Sequence, residues 1–134
     1  MRAVLDPNVL IAALLSRSGP PGQLLARWLA GAFELVVSEL LLAELERALA
    51  YSKLRARVPP EEAAAFVSVL ASAAVLVSDP AVFPLRSADP GDDYLLALAE
   101  TARAVLVSGD RHLLELADDL PIRTARAFLE TLEP

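Results

Sequence analysis

Cysteine is absent from this chain, and histidine, lysine and tryptophan occur once each. Without cysteine there is no disulfide framework and no thiolate metal site. A single histidine, His112, excludes a multi-histidine zinc centre. No apolar run is long enough to cross a bilayer without meeting a charge, and no signal-peptide pattern opens the chain. No membrane association is expected, and the expected compartment is the cytoplasm. Positive charge is scarce too: 12 Lys and Arg against 18 Asp and Glu leave a net charge of −6. That balance argues against a broad basic surface for nucleic acid, although net charge is not patch charge and bound cations can cancel clustered acids. Eleven of the 12 basic residues are arginine, the better bidentate partner for phosphate. The Gly-Pro-Pro-Gly stretch at 19–22 reads as a loop and lacks the lysine of a phosphate-binding loop.

Apolar residues are plentiful, at 55% of the chain with a mean hydropathy of +0.47. One compact domain over 1–134, with elements covered on both faces, is the natural expectation at this length. Short apolar runs without strict alternation stand at 3–5, 35–37, 74–77 and 104–107, with a weaker one at 121–124. Strands buried on both faces read this way. Helical patterns fill the gaps: from Pro7 to before Ser18, over 23–30, from an N-cap at Ser38 to about Tyr51, over 61–72, from Asp93 onward, over 110–117, and over 125–132. Residues 51–57 read as a short helix or turn, and 78–91 as the longest irregular stretch. The alternation of strand and helix predicts an α/β fold, a parallel sheet of about five strands flanked by helices in three layers.

Four acids lie just beyond the apolar runs or in the helices that follow: Asp6, Glu44, Asp93 and Asp110. In an open parallel sheet the strand C-terminal ends meet at one crevice, where ligands bind. Carboxylates gathered there repel one another unless a hard cation joins them. An all-oxygen donor set suits Mg²⁺ or Mn²⁺ rather than zinc or copper, and such ions act on phosphodiesters. Each acid also has a plainer reading. Asp6 and Asp110 can be helix caps, and Glu44 can pair with an arginine. On a helical wheel, however, Glu44 leaves the polar side of Glu39, Glu46 and Arg47 and falls between Leu40 and Ala48, a costly edge for an unpaired carboxylate. Of the pair after Pro90-Gly91, Asp92 is the better cap, which leaves Asp93 for chemistry. Asn8 and Ser108 add polar groups at the same sheet end, and Ser108 can orient a carboxylate or a water. His112 reads as a surface residue, and Trp28 and the phenylalanines as core.

The segments VLDPNVLIAALL, VVSELLLAELERAL, DPGDDYLLALAE and VLVSGDRHLLEL, in that order, resemble the PIN-domain ribonucleases, in particular the stand-alone prokaryotic type that includes the VapC-like toxins. The resemblance runs from about residue 2 to residue 124. It implies a Mg²⁺ or Mn²⁺ site made by Asp6, Glu44, Asp93 and Asp110, RNA as substrate, and an antitoxin partner if the chain is a toxin. Two positions depart from the family pattern: Pro7 stands where threonine is usual, and Ser108 where threonine is common but with the hydroxyl kept. A non-catalytic PIN-like binding module is the first alternative. A haloacid-dehalogenase-like phosphatase is a weaker one, because it wants a second aspartate where Asn8 stands and a lysine that only Lys53 could supply. An acidic site must still approach an anionic backbone, so arginines should line the crevice; Arg17 and Arg111 are the candidates. A small apolar-rich domain of this kind is also expected to form a homodimer.

Overall fold

The structure, a computed structural model, describes residues 1–81 and 90–132. Residues 82–89, which fall in the stretch read as irregular, and 133–134 lie outside the described residues. In chain order the elements are β1 (Arg2–Leu5), α1 (Pro7–Leu15), α2 (Pro20–Leu29), β2 (Glu34–Val37), α3 (Glu39–Leu49), α4 (Ser52–Arg55), α5 (Pro60–Ala73) and β3 (Val75–Leu76). A 3-10 turn at Pro90–Asp92 then leads into α6 (Asp93–Ala102), followed by β4 (Val105–Val107), α7 (Arg111–Leu114), β5 (Ile122–Arg123) and α8 (Ala125–Leu132).

The five strands form one sheet in the order β3-β2-β1-β4-β5, and every pairing is parallel. The expected α/β sheet flanked by helices is therefore present. Its strands lack alternation because both faces are covered: Ala3, Val4, Leu5, Leu35, Val36, Val37, Leu106 and Val107 are all buried. Each such Val or Leu contributes roughly 1.5–3 kcal/mol on leaving water. Helix α6 packs on β1 and β4 and is buried from Asp93 through Ala99, which is why its sequence is apolar on nearly every side. Phe33, just before β2, meets Phe128 of α8 edge to face with ring centroids 5.3 Å apart, tying the last helix to the sheet.

The sheet order also locates the crevice. From central β1 the chain steps outward through β2 to β3, then returns to lay β4 on the other side of β1. The direction of winding reverses between β1 and β4, and a doubly wound sheet opens its ligand crevice at the C-terminal ends of such a pair.

One local reading is corrected. The Gly-Pro-Pro-Gly stretch is no loop: Pro20, Pro21 and Gly22 form the first turn of α2, with Gly19 at the cap. Proline lacks an N–H that the first turn cannot pair anyway, and its fixed φ suits the helix start. Gly22 is required for a different reason. A Cβ there would lie 2.4 Å from the carbonyl oxygen of Arg17 and 2.5 Å from its Cα. The α1–α2 corner closes because no side chain stands in that space. Trp28 and Phe33 are buried as expected, and Phe66 is half-buried.

Candidate active site

Asp6 sits at the boundary between β1 and α1. Its backbone N–H still donates to the Val107 carbonyl at 2.9 Å, continuing the sheet, while its carbonyl accepts from Val9 and Leu10 to start the helix. The carboxylate is held at both oxygens. Oδ1 accepts from the Asn8 backbone N–H at 3.0 Å, and Oδ2 accepts from the Ser108 hydroxyl at 2.8 Å. Asp6 is thus a helix cap and a fixed carboxylate together, so the two readings of it are not exclusive. Each oxygen has two lone-pair directions, and one on each remains for another ligand.

Ser108 is fully buried and does two things at the reversal between β1 and β4. Its single proton goes to Asp6, and its oxygen accepts from the Asp110 backbone N–H at 3.0 Å. The β1 acid is thereby locked to the turn that carries the next one. Asp110 caps α7, its Oδ1 accepting from the His112 backbone N–H at 2.8 Å, and the side chain is half-buried. The His112 side chain is exposed, as expected of a surface residue.

Glu44 projects from α3, whose start is fixed by Ser38 accepting from the Leu41 N–H at 3.2 Å. The Glu44 side chain is half-buried and, among the described residues, pairs with no arginine; its Oε2 accepts a hydrogen bond from the Tyr94 hydroxyl. Tyr94 is buried in the first turn of α6, directly after Asp93. Asp93 is itself buried as the first residue of that helix. Asp92 occupies the cap position but makes no side-chain cap bond. It belongs to the preceding 3-10 turn, with φ −94° and ψ −8°, rather than to the extended conformation that aims a capping side chain at the helix N–H groups. The expectation that Asp92 caps is met in position and not in bonding.

The electrostatics join these acids. Burial pushes the Asp6 carboxyl above its ordinary value of 3.8; its two hydrogen bonds oppose that, and the charges of Glu44 and Asp110 add to it. Burial likewise raises the Tyr94 hydroxyl far above its ordinary value, helped by its bond to Glu44 and by the charges of Glu44, Asp6 and Asp79, so it stays protonated. The charges of Glu44 and Asp110 therefore both reach Asp6. Arg17 and Arg111 are exposed, Arg111 beside Asp110 in the chain and Arg17 at the α1–α2 corner against Gly22. A depression of about 350 Å³ is lined by Asn8, Ala12, Pro21, Gly109 and Asp110 among others.

Two residues at this end escaped the sequence reading. Asp79 follows β3, and its Oδ2 accepts from the Leu40 N–H at the start of α3 at 3.1 Å. It obeys the rule that found the others, an acid just past an apolar run, and the rule applied to AVLVSD would have found it. Tyr94 carries no such signal, because an aromatic in an apolar helix reads as core.

The donor set fits a hard divalent cation. Every group offered is oxygen, and Asp6 bears an uncompensated penalty that a cation would relieve. Among the described residues, no three carboxylate or imidazole side chains are already closed into a metal cage. Mg²⁺ does not need one, since it keeps several waters and takes one or two protein carboxylates.

The raised Asp6 pKa has a testable sign. Between 3.8 and its folded value the folded chain binds more protons than the unfolded one. This contribution to stability is therefore present below pH 3.8 and lost as pH rises through the folded pKa. In chelator, Asp6→Asn is expected to melt at or above the wild-type temperature at pH 7, and to lose that advantage near pH 3.8. Melting curves of both proteins across this range check it; an advantage that grows towards acid would contradict the assignment.

A parallel α/β sheet whose winding reverses beside Asp6, Ser108 and Asp110 defines the class of α/β proteins that open a ligand crevice at the strand C-terminal ends. Residues 2–112 match the PIN domain family, and the chain belongs to it. It is similar to an uncharacterized protein of Methanocaldococcus jannaschii, 24% identical over 99% of this chain and 92% of that one. Among solved structures it shares its fold with VapBC-1 from nontypeable Haemophilus influenzae (TM-score 0.65, 17% identity, 94% of this chain and 99% of that one). VapBC2 from Rickettsia felis, solved bound to a DNA fragment from their promoter, is similar at TM-score 0.62 and 15% identity, covering 92% of this chain and 98% of that one. A protein of Pyrobaculum aerophilum is similar at TM-score 0.65 and 22% identity, covering 98% and 89%.

Proposed function

We propose that this chain is a metal-dependent endoribonuclease built as one PIN domain over 1–134, the toxin of a toxin–antitoxin pair acting in the cytoplasm. The observation that carries the reading is the locking of Asp6 to the Asp110 turn through Ser108, within the field of Glu44, at the reversal between β1 and β4. Asp6, Glu44, Asp93 and Asp110 are the residues that would hold Mg²⁺ or Mn²⁺. When bound, the cation supplies charge neutralisation for a phosphodiester and activation of water. The chain's own part is placement: Ser108 and the Asn8 N–H fix Asp6, the start of α6 fixes Asp93, and α3 carries Glu44 across from β2. The phosphatase alternative is disfavoured by Asn8 and by Lys53, which is exposed on α4. Among the described residues no helix is long and apolar enough to cross a membrane.

The test is cleavage of a mixed RNA pool by purified protein with Mn²⁺, with Mg²⁺ and with chelator. Cleavage that requires either ion supports the reading. RNA binding without cleavage under all three conditions points instead to the non-catalytic module. The fold shared with VapBC proteins supports an antitoxin partner, whose basic side chain would enter among the four acids and compete with the cation. A homodimer, proposed from the apolar richness of so small a domain, would bring two crevices into one groove; a monomer mass by light scattering at all concentrations would remove that part.

Arg111 follows Asp110, which lines the depression, and the Arg17 backbone lies against Gly22, next to the lining residue Pro21; phosphate contacts are their proposed role. Each arginine-to-alanine change is expected to weaken RNA binding at low salt. The pair together should flatten the dependence of log affinity on log salt by about 1.4, at roughly 0.7 per phosphate for single strands. An unchanged slope in the double variant removes both from the RNA surface.

A further inference from the structure

We propose that Tyr94 is a positioning residue that holds Glu44 for the cation; this rests on the four-acid metal site proposed above. Glu44 is the one acid of the set that comes from the middle of a helix rather than from a strand exit or a helix start. Its side chain has three rotatable bonds and is half-buried. Asp6 and Asp110 have backbone donors to steady them. For Glu44 the Tyr94 hydroxyl takes that place, donating to Oε2. The other oxygen, Oε1, is the one left for the cation.

The choice of a phenol has a chemical consequence. An arginine or lysine would steady Glu44 equally well, but its positive charge would cancel the field that attracts a cation. Tyrosine donates one hydrogen bond and adds no charge. Tyr94 also follows Asp93 directly in α6. One rigid, buried helix start therefore carries a proposed ligand and the clamp on another, so the spacing between the α3 and α6 acids is set by packing rather than by loops. Groups that fix metal ligands in this way are typically worth 10–100-fold in metal affinity.

The experiment is a Mn²⁺ titration of the purified full chain, followed by the paramagnetic signal of free Mn²⁺, with wild type, Asp6→Asn, Tyr94→Phe, Glu44→Gln and the double variant Tyr94→Phe/Glu44→Gln. Phenylalanine keeps the buried ring, and melting in chelator verifies the fold. Tyr94→Phe is expected to weaken Mn²⁺ binding about 10–100-fold and to have no further effect once Glu44 is glutamine. Wild-type affinity in Tyr94→Phe, with binding lost in Asp6→Asn, overturns the role of Tyr94 alone. An equal loss on adding Tyr94→Phe to Glu44→Gln also overturns it, because a merely structural effect would persist without the carboxylate. Unaltered Mn²⁺ binding in Asp6→Asn overturns the site itself, and the clamp with it.

Discussion

Asp6→Asn is expected to abolish most metal-dependent RNA cleavage, lowering it about 100-fold or more, while the fold survives. The substitution is nearly isosteric. Asparagine caps helices as well as aspartate does, and its carbonyl can still accept from one of the two donors that hold Asp6. What it removes is a negative charge at the reversal between β1 and β4. Loss of about 3 kcal/mol of charge stabilisation corresponds to roughly that factor in rate. Asp93→Asn should behave alike, being buried at the start of α6. Asp92→Asn should cost little, since its side chain lies in the 3-10 turn. Cleavage rates of the three purified variants in Mn²⁺ decide the matter. Full activity in Asp6→Asn would sink the assignment, and an essential Asp92 beside a dispensable Asp93 would reverse the choice within the pair.

The second large effect concerns the fold. Gly22→Ala is expected to destabilise the chain by about 3 kcal/mol and to lower its melting temperature by about 10 °C. A methyl group placed 2.4 Å from the Arg17 carbonyl oxygen cannot be accommodated by rotating a side chain, because the obstacle is backbone. The α1–α2 corner would have to open, carrying Pro21 away from Asn8 and widening the depression beside Asp110. Calorimetry measures the loss; a melting temperature within about 2 °C of wild type would show that the corner yields freely.

Much of this architecture was legible from local pattern. Apolar runs without alternation marked buried parallel strands, because burial on both faces removes the polar half of the repeat. The strand-exit rule found Asp6 and Asp110, and the helical wheel set Glu44 apart from the solvated face. The rest depended on relations between distant segments. Nothing in VLD or VSGD says that β1 and β4 are neighbours, so Ser108 could be expected to orient a carboxylate or a water, but not Asp6 in particular. Tyr94 was hidden in the same way: its ring belongs to the core, and only its hydroxyl reaches Glu44. The Gly-Pro-Pro-Gly stretch was misread for a local reason. Proline favours both turns and helix starts, and the close approach of Arg17 that decides between them is tertiary.

The central place of β1 has a consequence for the order in which the site comes into being. Asp6 leaves the ribosome well before its partner Ser108, which lies 102 positions later. At about 5–20 residues per second of synthesis, some 5–20 s separate the two. A nascent chain that has released β1 to β3 holds Asp6 and Glu44 without the hydroxyl that locks Asp6 or the turn that carries Asp110. Any chain broken off before β4 is likewise incomplete at its crevice. A ribonuclease of the kind proposed, made this way, cannot complete its site on the ribosome before β4 and the turn after it have been synthesised.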